Sequence, residues 1–98
     1  MQTEELIPAT EFCVYHNIDY SFISSLKESG LIEITTIEEQ TYLPVSQLTD
    51  LERFVRLHYE MDVNLEGIET INYLLVRLNE MQHQITLLSN RLRVYENE

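Results

Sequence analysis

The last third of the chain contains no proline, and its apolar residues recur at alternating spacings of three and four. This repeat is typical of a helix that packs along one continuous apolar seam. The pattern predicts a single helix of roughly 30 residues, which begins after a capping asparagine, Asn64. The seam residues are Ile71, Leu74, Leu78, Met81, Ile85, Leu88, Leu92 and Tyr95.

A seam of this length extends beyond what the short helices upstream can cover, so its C-terminal half is expected to be exposed unless another chain packs there. Leu75 and Leu87 widen the stripe beyond a strict two-stranded seam. The chain is therefore expected to be a single structural domain overall, with a domain-like part in residues 1–62 and a packing or dimerisation helix in residues 63–98. The partner helix belongs either to a second copy or to another protein, and the sequence leaves that choice and the helix direction open.

Turn and cap signals near the N-terminus predict two short helices joined by a tight turn. Pro8 breaks the chain, and Thr10 is suited to cap the first helix. An Asn-Ile-Asp turn follows, after which Asp19 or Ser21 is suited to cap the second helix. Gly30 is expected to end that helix, because glycine readily adopts the left-handed conformation found at helix C-termini.

Residues 31–43 are rich in β-branched and aromatic side chains, which predicts a β-hairpin that Pro44 closes. Ser46 or Thr49 is suited to cap a third helix. An apolar stripe at helical spacing then indicates one buried face. Its residues are Leu51, Phe54, Val55, His58 and Met61. The fold class expected from these patterns is mainly α, with one small hairpin.

The charge balance limits the classes of partner. Six basic residues against seventeen acidic ones give a net charge of −11, which repels polyanions. Nucleic acid is therefore an unfavoured partner, and a basic protein surface is favoured. No apolar run approaches the length of a membrane span, and the acidic start does not resemble a secretion signal. We expect a cytoplasmic protein without a membrane partner.

Two pairs of side chains have the spacing of partial metal sites. Cys13 and His16 have the spacing of half a zinc site, and His58 and Asp62 share a helical face. A structural zinc site requires four ligands, and the chain has no other cysteine. A buried thiol and an imidazole at the edge of the core are the favoured interpretations. No nucleophile motif or phosphate-binding loop is present, so neither an enzyme nor a cofactor is expected.

The order of helix, turn, helix, Gly-Leu-Ile, hairpin, helix and long helix resembles the MerR-type winged helix-turn-helix with its dimerisation helix. The resemblance rests on residues 11–18, Ile23 and residues 30–32. Where DNA-binding members carry Arg and Tyr in the recognition helix, this chain has serines. They are Ser21, Ser24 and Ser25. The expected wing carries Glu38 and Glu39. These departures predict that the DNA-reading surface is lost.

The chain is also similar to the CbpM family of chaperone modulators, small acidic MerR-like proteins that bind the J-domain of the DnaJ-like co-chaperone CbpA and inhibit it. The similarity rests on residues 10–13, 30–33 and 56–63, the last leading into Gly67 and Ile68. The later Gln84, Leu88, Arg91 and Leu92 also suit the helical tail of that family.

This resemblance implies a protein that inhibits a CbpA-type co-chaperone by binding its J-domain. J-domains present a basic helix, which an acidic surface is suited to occupy. Our hypothesis is that a carboxylate patch near the hairpin and third helix contacts that helix. The residues are Glu38, Glu39, Asp50 and Glu52. The alternative for these four residues is that they only keep the protein soluble. The alternatives for the whole protein are a structural adaptor that works through its coiled coil and a MerR-like regulator that binds DNA.

Overall fold

The computed structural model describes residues 5–97. In chain order the elements are β1 (Leu6–Pro8), α1 (Ala9–His16), α2 (Tyr20–Glu28), β2 (Thr35–Ile37), β3 (Gln40–Pro44), a 3₁₀ turn (Val45–Gln47), α3 (Leu48–Val55), a π-helical turn (Arg56–Glu60) and α4 (Leu65–Glu96). α1 and α2 form a helix-turn-helix, β2 and β3 form a wing, and α4 extends from them. The expected fold class is confirmed.

The N-terminal segment forms a strand that the sequence patterns did not predict. β1 pairs antiparallel with β3, and Pro8 lies opposite Tyr42, so the sheet has three strands in the order β1-β3-β2. The prediction that Thr10 caps α1 is wrong. Because the strand continues to Pro8, the helix begins directly at Ala9 and Thr10 lies within its first turn. Proline suits this junction, since its fixed φ is compatible with both conformations.

Both helices of the helix-turn-helix end in a left-handed residue, Asn17 with φ of 56° and Gly30 with φ of 78°. In each case the following residue donates its N–H to the carbonyl five positions back, at 3.0 Å. This arrangement is the Schellman motif, and it satisfies carbonyls that a helix end leaves unpaired. The prediction that Gly30 ends α2 is confirmed, and Asp19 occupies the N-cap position, but its side chain makes no capping hydrogen bond. Ser21 lies inside the helix.

The wing is shorter than the predicted hairpin. Ile37 pairs with Gln40, so Glu38 and Glu39 form a two-residue turn, with φ of 50° and 68°. Residues before Thr35 do not pair as a strand. The side-chain amide of Gln47 instead accepts the Glu33 N–H at 2.7 Å and donates to the Glu33 carbonyl at 3.3 Å.

The third helix begins and ends differently from the sequence prediction. Neither Ser46 nor Thr49 is its N-cap, because β3 leads into a 3₁₀ turn and Gln47 occupies the cap position of α3. Its predicted apolar stripe is buried at Leu51, Phe54 and Val55, whereas Met61 is 66% exposed.

The π-helical turn explains the exposure of Met61. An extra residue per turn changes which residues face the core, so a regular helical spacing no longer applies beyond Val55. The same turn places His58 against Phe22, with stacked rings 4.6 Å apart. The His58 Nδ1 lies 3.0 Å from the Val63 carbonyl oxygen. Asp62 then adopts a left-handed conformation, with a φ of 56°.

All side chains of the core are apolar, and no polar or charged residue among 5–97 is buried. The core comprises Ala9, Phe12, Cys13, Phe22, Ile23, Leu26, Ile32, Leu43, Leu51, Phe54, Val55 and Ile68. Ile68 attaches α4 to this core. The predicted cap of α4 is confirmed, since the Asn64 Oδ1 accepts the Gly67 N–H at 2.8 Å.

Candidate protein-interaction surface

The exposed side of α2 offers few groups that bind phosphate. Phe22, Ile23 and Leu26 are buried, which turns Ser21 and Lys27 toward solvent. Lys27 is the one basic residue of the helix, and the acidic Glu28 is next to it. Affinity for a nucleic-acid backbone depends on clustered cations that displace counterions, and α2 does not provide such a cluster.

The wing lies beside α2 and is acidic at its tip. The Tyr20 hydroxyl of α2 donates to the Thr41 Oγ1 of β3 at 3.0 Å, which connects the two elements. A groove of about 330 Å³ lies at this junction, and Glu39 contributes to its lining. Glu38 and Glu39 are both exposed. The surface that α2 and the wing form together is therefore uncharged or negative, apart from Lys27.

The four carboxylates of the predicted patch fall into two pairs. Glu38 and Glu39 form the wing turn, whereas Asp50 and Glu52 lie on α3. Asp50 pairs with Arg53 at 3.1 Å, so its charge is partly compensated. Glu52 lines a different groove from Glu39, between α1 and α3. All four are exposed, and a role for them in partner binding stays a prediction.

A second surface, on α1, was not singled out from the sequence. Val14 and Tyr15 are 82% and 84% exposed, the highest values among large apolar side chains of residues 5–97. The run of four apolar residues at 12–15 could have indicated them, because a helix as short as α1 can bury only one face. Phe12 and Cys13 take the buried positions, which leaves the next two residues outside.

The predicted seam runs along α4, and most of it is uncovered. Ile71 is half-buried. The remaining seam residues are between 51% and 75% exposed. They are Leu74, Leu78, Met81, Ile85, Leu88, Leu92 and Tyr95. Of the two residues that widen the stripe, Leu75 is half-buried and Leu87 is exposed. Pairing of this seam with another helix stays a prediction.

Charge is distributed unevenly between the two parts of the chain. Twelve acidic and three basic residues precede Leu65, whereas five acidic and three basic residues lie from Leu65 onward. Between Ile71 and Tyr95 the helix carries three arginines and one glutamate. The negative charge is therefore concentrated on the part of the molecule that contains the helix-turn-helix and the wing.

The structure places the candidate metal ligands without assembling a site. Cys13 is buried, and its burial together with the nearby Asp19 charge raises the pKa of its thiol. The thiolate that binds metals is therefore disfavoured at neutral pH. Within residues 5–97, no group of three or more His, Cys, Asp or Glu side chains is arranged to hold a metal ion. The His58 ring packs on Phe22 instead.

The length and apolar character of a helix decide whether it can cross a membrane. None of those within residues 5–97 combines the length and apolar character that crossing a bilayer requires.

Comparison with known proteins identifies the family. None of the curated proteins and none of the solved structures matches the chain. A family model described as MerR HTH family regulatory protein matches residues 7–90, a range that includes most of β1, the helix-turn-helix, the wing and most of α4. The chain therefore belongs to the MerR helix-turn-helix family of regulatory proteins.

Proposed function

We propose that this protein is an acidic modulator that binds the J-domain of a DnaJ-like, CbpA-type co-chaperone and inhibits it. The observation that carries the proposal is the composition of the surface on which a helix-turn-helix protein would bind DNA. On α2 and the wing, Lys27 is the one cation, and Glu38 and Glu39 form the wing tip. The similarity to the CbpM family, described above, supplies the class of partner.

Electrostatics favours a basic protein over a nucleic acid as the partner. Duplex DNA carries about one negative charge per 1.7 Å of its axis, and neutralising cations provide much of the affinity. A chain with a net charge of −11 is repelled by such a polymer. The same charge accelerates the encounter with a basic helix, which is what a J-domain presents.

Calorimetric titration with a purified J-domain tests the proposal. We expect heat of binding at micromolar concentrations at about 0.15 M salt, where the Debye length is about 8 Å, and weaker binding at about 1 M, where it is about 3 Å. Inhibition is measured as the loss of J-protein-stimulated ATP hydrolysis by the partner chaperone. Absence of binding at low salt would contradict the proposed function.

A matched pair of variants tests whether the wing tip contributes. Glu38→Gln with Glu39→Gln removes two exposed charges from the wing, and Glu69→Gln with Glu96→Gln removes two exposed charges from α4. We expect the first variant to weaken J-domain binding and to reduce its salt dependence, whereas the second changes neither. Equal effects of the two variants would point to net charge alone.

The family assignment favours a second candidate function, transcription regulation by DNA binding. Electrophoretic mobility shift with genomic fragments tests it. Retention of a specific fragment at low nanomolar protein, resistant to competitor DNA, would reverse the ranking of the two functions. Lys27→Ala is the variant of choice here, because a DNA-binding α2 would depend on its one cation.

A further inference from the structure

The α1 surface has the properties of a docking site for a helix. Exposed Val14 and Tyr15 project from α1, and between α1, β1 and α3 lies a groove of about 350 Å³. Phe12, Ile7 and Leu48 are its buried or half-buried apolar lining. Tyr15 and Val14 also line a second groove. Single exposed apolar side chains are common on protein surfaces, but these two adjoin further apolar surface.

Carboxylates border this apolar surface on both sides. Glu11 on α1 and Glu52 on α3 are exposed and line the same groove. No ion pair is formed by either of them within residues 5–97. Their charges are therefore available to a partner. We call Glu11, Val14, Tyr15, Leu48 and Glu52 the α1 patch.

We propose that the α1 patch binds an amphipathic helix whose apolar stripe is flanked by Lys or Arg. The apolar stripe would cover Val14, Tyr15 and the groove, and the basic side chains would reach Glu11 and Glu52. The identification of this helix with part of a J-domain rests on the proposed function. The α1 patch itself does not, since it is defined by exposure, shape and charge.

Charge argues against a second copy of this chain as the occupant. The part of a second copy that carries the helix-turn-helix and wing is strongly acidic, with twelve acidic and three basic residues before Leu65. Its approach to Glu11 and Glu52 is unfavourable, because like charges across an interface weaken it. The distal part of α4 is basic, with three arginines and one glutamate between Ile71 and Tyr95, but its own seam offers a longer apolar surface for self-pairing.

Two double variants and one control variant test the proposal. Val14→Ser with Tyr15→Ser removes the apolar anchors, and Glu11→Gln with Glu52→Gln removes the flanking charges. Tyr73→Ser with Val94→Ser is the matched apolar control, since both side chains are exposed on α4 outside the seam. All these side chains are exposed, so we expect unchanged thermal unfolding. The probes are a synthetic amphipathic peptide of leucine and lysine, its leucine and glutamate counterpart, and a purified J-domain.

We expect the lysine peptide to bind and the glutamate peptide not to bind. Loss of the apolar anchors should weaken lysine-peptide binding about tenfold or more, as truncation of central interface anchors commonly does. Loss of Glu11 and Glu52 should weaken it mainly at low salt, and the control should not change it. Equal binding by the wild-type chain and the anchor variant, or an altered oligomeric state of the anchor variant, would overturn the proposal.

The J-domain titration separates this inference from the proposed function. If the J-domain binds the wild-type chain and the anchor variant equally, the α1 patch is not its site, whereas the proposed function stands. If the lysine peptide depends on the α1 patch and the J-domain does not bind at all, the docking site stands and the proposed function fails.

Discussion

Three left-handed residues determine where the short elements of this protein end. Asn17, Gly30 and Asp62 all have φ between 56° and 78°. Glycine takes this conformation without a steric penalty, and Asn and Asp tolerate it better than other residues do. The stop at Gly30 was predictable from the sequence for this reason. Asn17 was recognised only as part of a turn, because its side chain is equally common in other turns.

Replacement of Asn17 tests the cost of this conformation. Asn17→Gly should preserve or slightly raise the free energy of unfolding, whereas Asn17→Val should lower it by about 1–2 kcal/mol, since a β-branched side chain is strained there. Urea denaturation measures both. Asn79→Val makes the same change in the exposed interior of α4 and should have little effect. Similar losses of unfolding free energy for Asn17→Val and Asn79→Val would contradict a left-handed conformation at Asn17.

Glycine is required at position 67 because neighbouring side-chain atoms leave no room for a Cβ, and not because of its backbone conformation. In an ordinary helix position, Gly→Ala stabilises by about 1 kcal/mol. At Gly67 an added Cβ would lie 2.7 Å from the Val63 Cγ1 and 3.1 Å from the Asn64 Oδ1 that caps α4. Since Val63 packs against the core and is stiff at χ1, it yields little space. We expect Gly67→Ala to destabilise the fold.

A double-mutant cycle isolates this clash. Gly67→Ala should cost less in a Val63→Ala background than in the wild-type chain, by about 1 kcal/mol, because the atom in the way is removed. Thermal and urea unfolding supply the four free energies. Additive effects would mean that Val63 is not the obstacle. The sequence predicted the Asn64 cap, but not the contact that excludes a side chain from position 67.

At the scale of elements, the sequence predicted the type of most helices and strands better than their limits. α2, the wing and α4 follow recognisable patterns. β1 was missed because three residues are too few to display alternation, and its pairing with β3 is a tertiary contact. The π-helical turn was missed for a related reason. A regular stripe from Leu51 to Met61 assumes constant residues per turn, and the turn at Arg56–Glu60 breaks that assumption.

The wing turn combines an unfavourable backbone with two carboxylates. Glu38 and Glu39 both have positive φ, whereas two-residue hairpin turns of this kind strongly prefer Asn-Gly. Glu38→Asn with Glu39→Gly should therefore raise the free energy of unfolding by about 1 kcal/mol. If the wing tip binds the J-domain, the same variant should weaken that binding at low salt.

Glu38→Gln with Glu39→Gln is the control for the wing turn, because it removes the charges and retains the strained backbone. It should leave stability nearly unchanged and weaken J-domain binding to the same degree. Differential scanning calorimetry and titration calorimetry give the two readouts. A stabilised turn with unchanged partner affinity would remove the wing tip from the candidate interface.

At the scale of the whole molecule, an acidic compact part is joined to an apolar and less acidic helix. The long helix was the strongest sequence signal, and the structure has it at Leu65–Glu96. The sequence does not predict which helix covers the seam of α4, because apolar heptads pair equally well with a second copy or with another protein. The α1 patch was likewise not predictable from the sequence, since the exposure of Val14 and Tyr15 depends on which face of α1 packs against the core.

Charged substitutions in the seam test self-association. Leu78→Lys with Ile85→Lys places charges at two exposed seam positions. We expect the variant to sediment as a monomer at concentrations where the wild-type chain is a dimer, with the core intact. Asn79→Lys with Thr86→Lys adds the same charge on another face of α4 and should leave the dimer in place. A wild-type chain that sediments as a monomer would exclude homodimerisation.

If two chains pair along α4, the projection of this helix from the compact part would determine how many partners one assembly can hold. Its 32 residues extend for about 48 Å at 1.5 Å per residue. Two chains joined along this rod would carry two identical acidic surfaces at a fixed separation. Bivalency of this kind raises the apparent affinity for a partner that is itself dimeric and adds nothing for a monomeric one. A dimeric target would therefore be retained long after a monomeric target had dissociated.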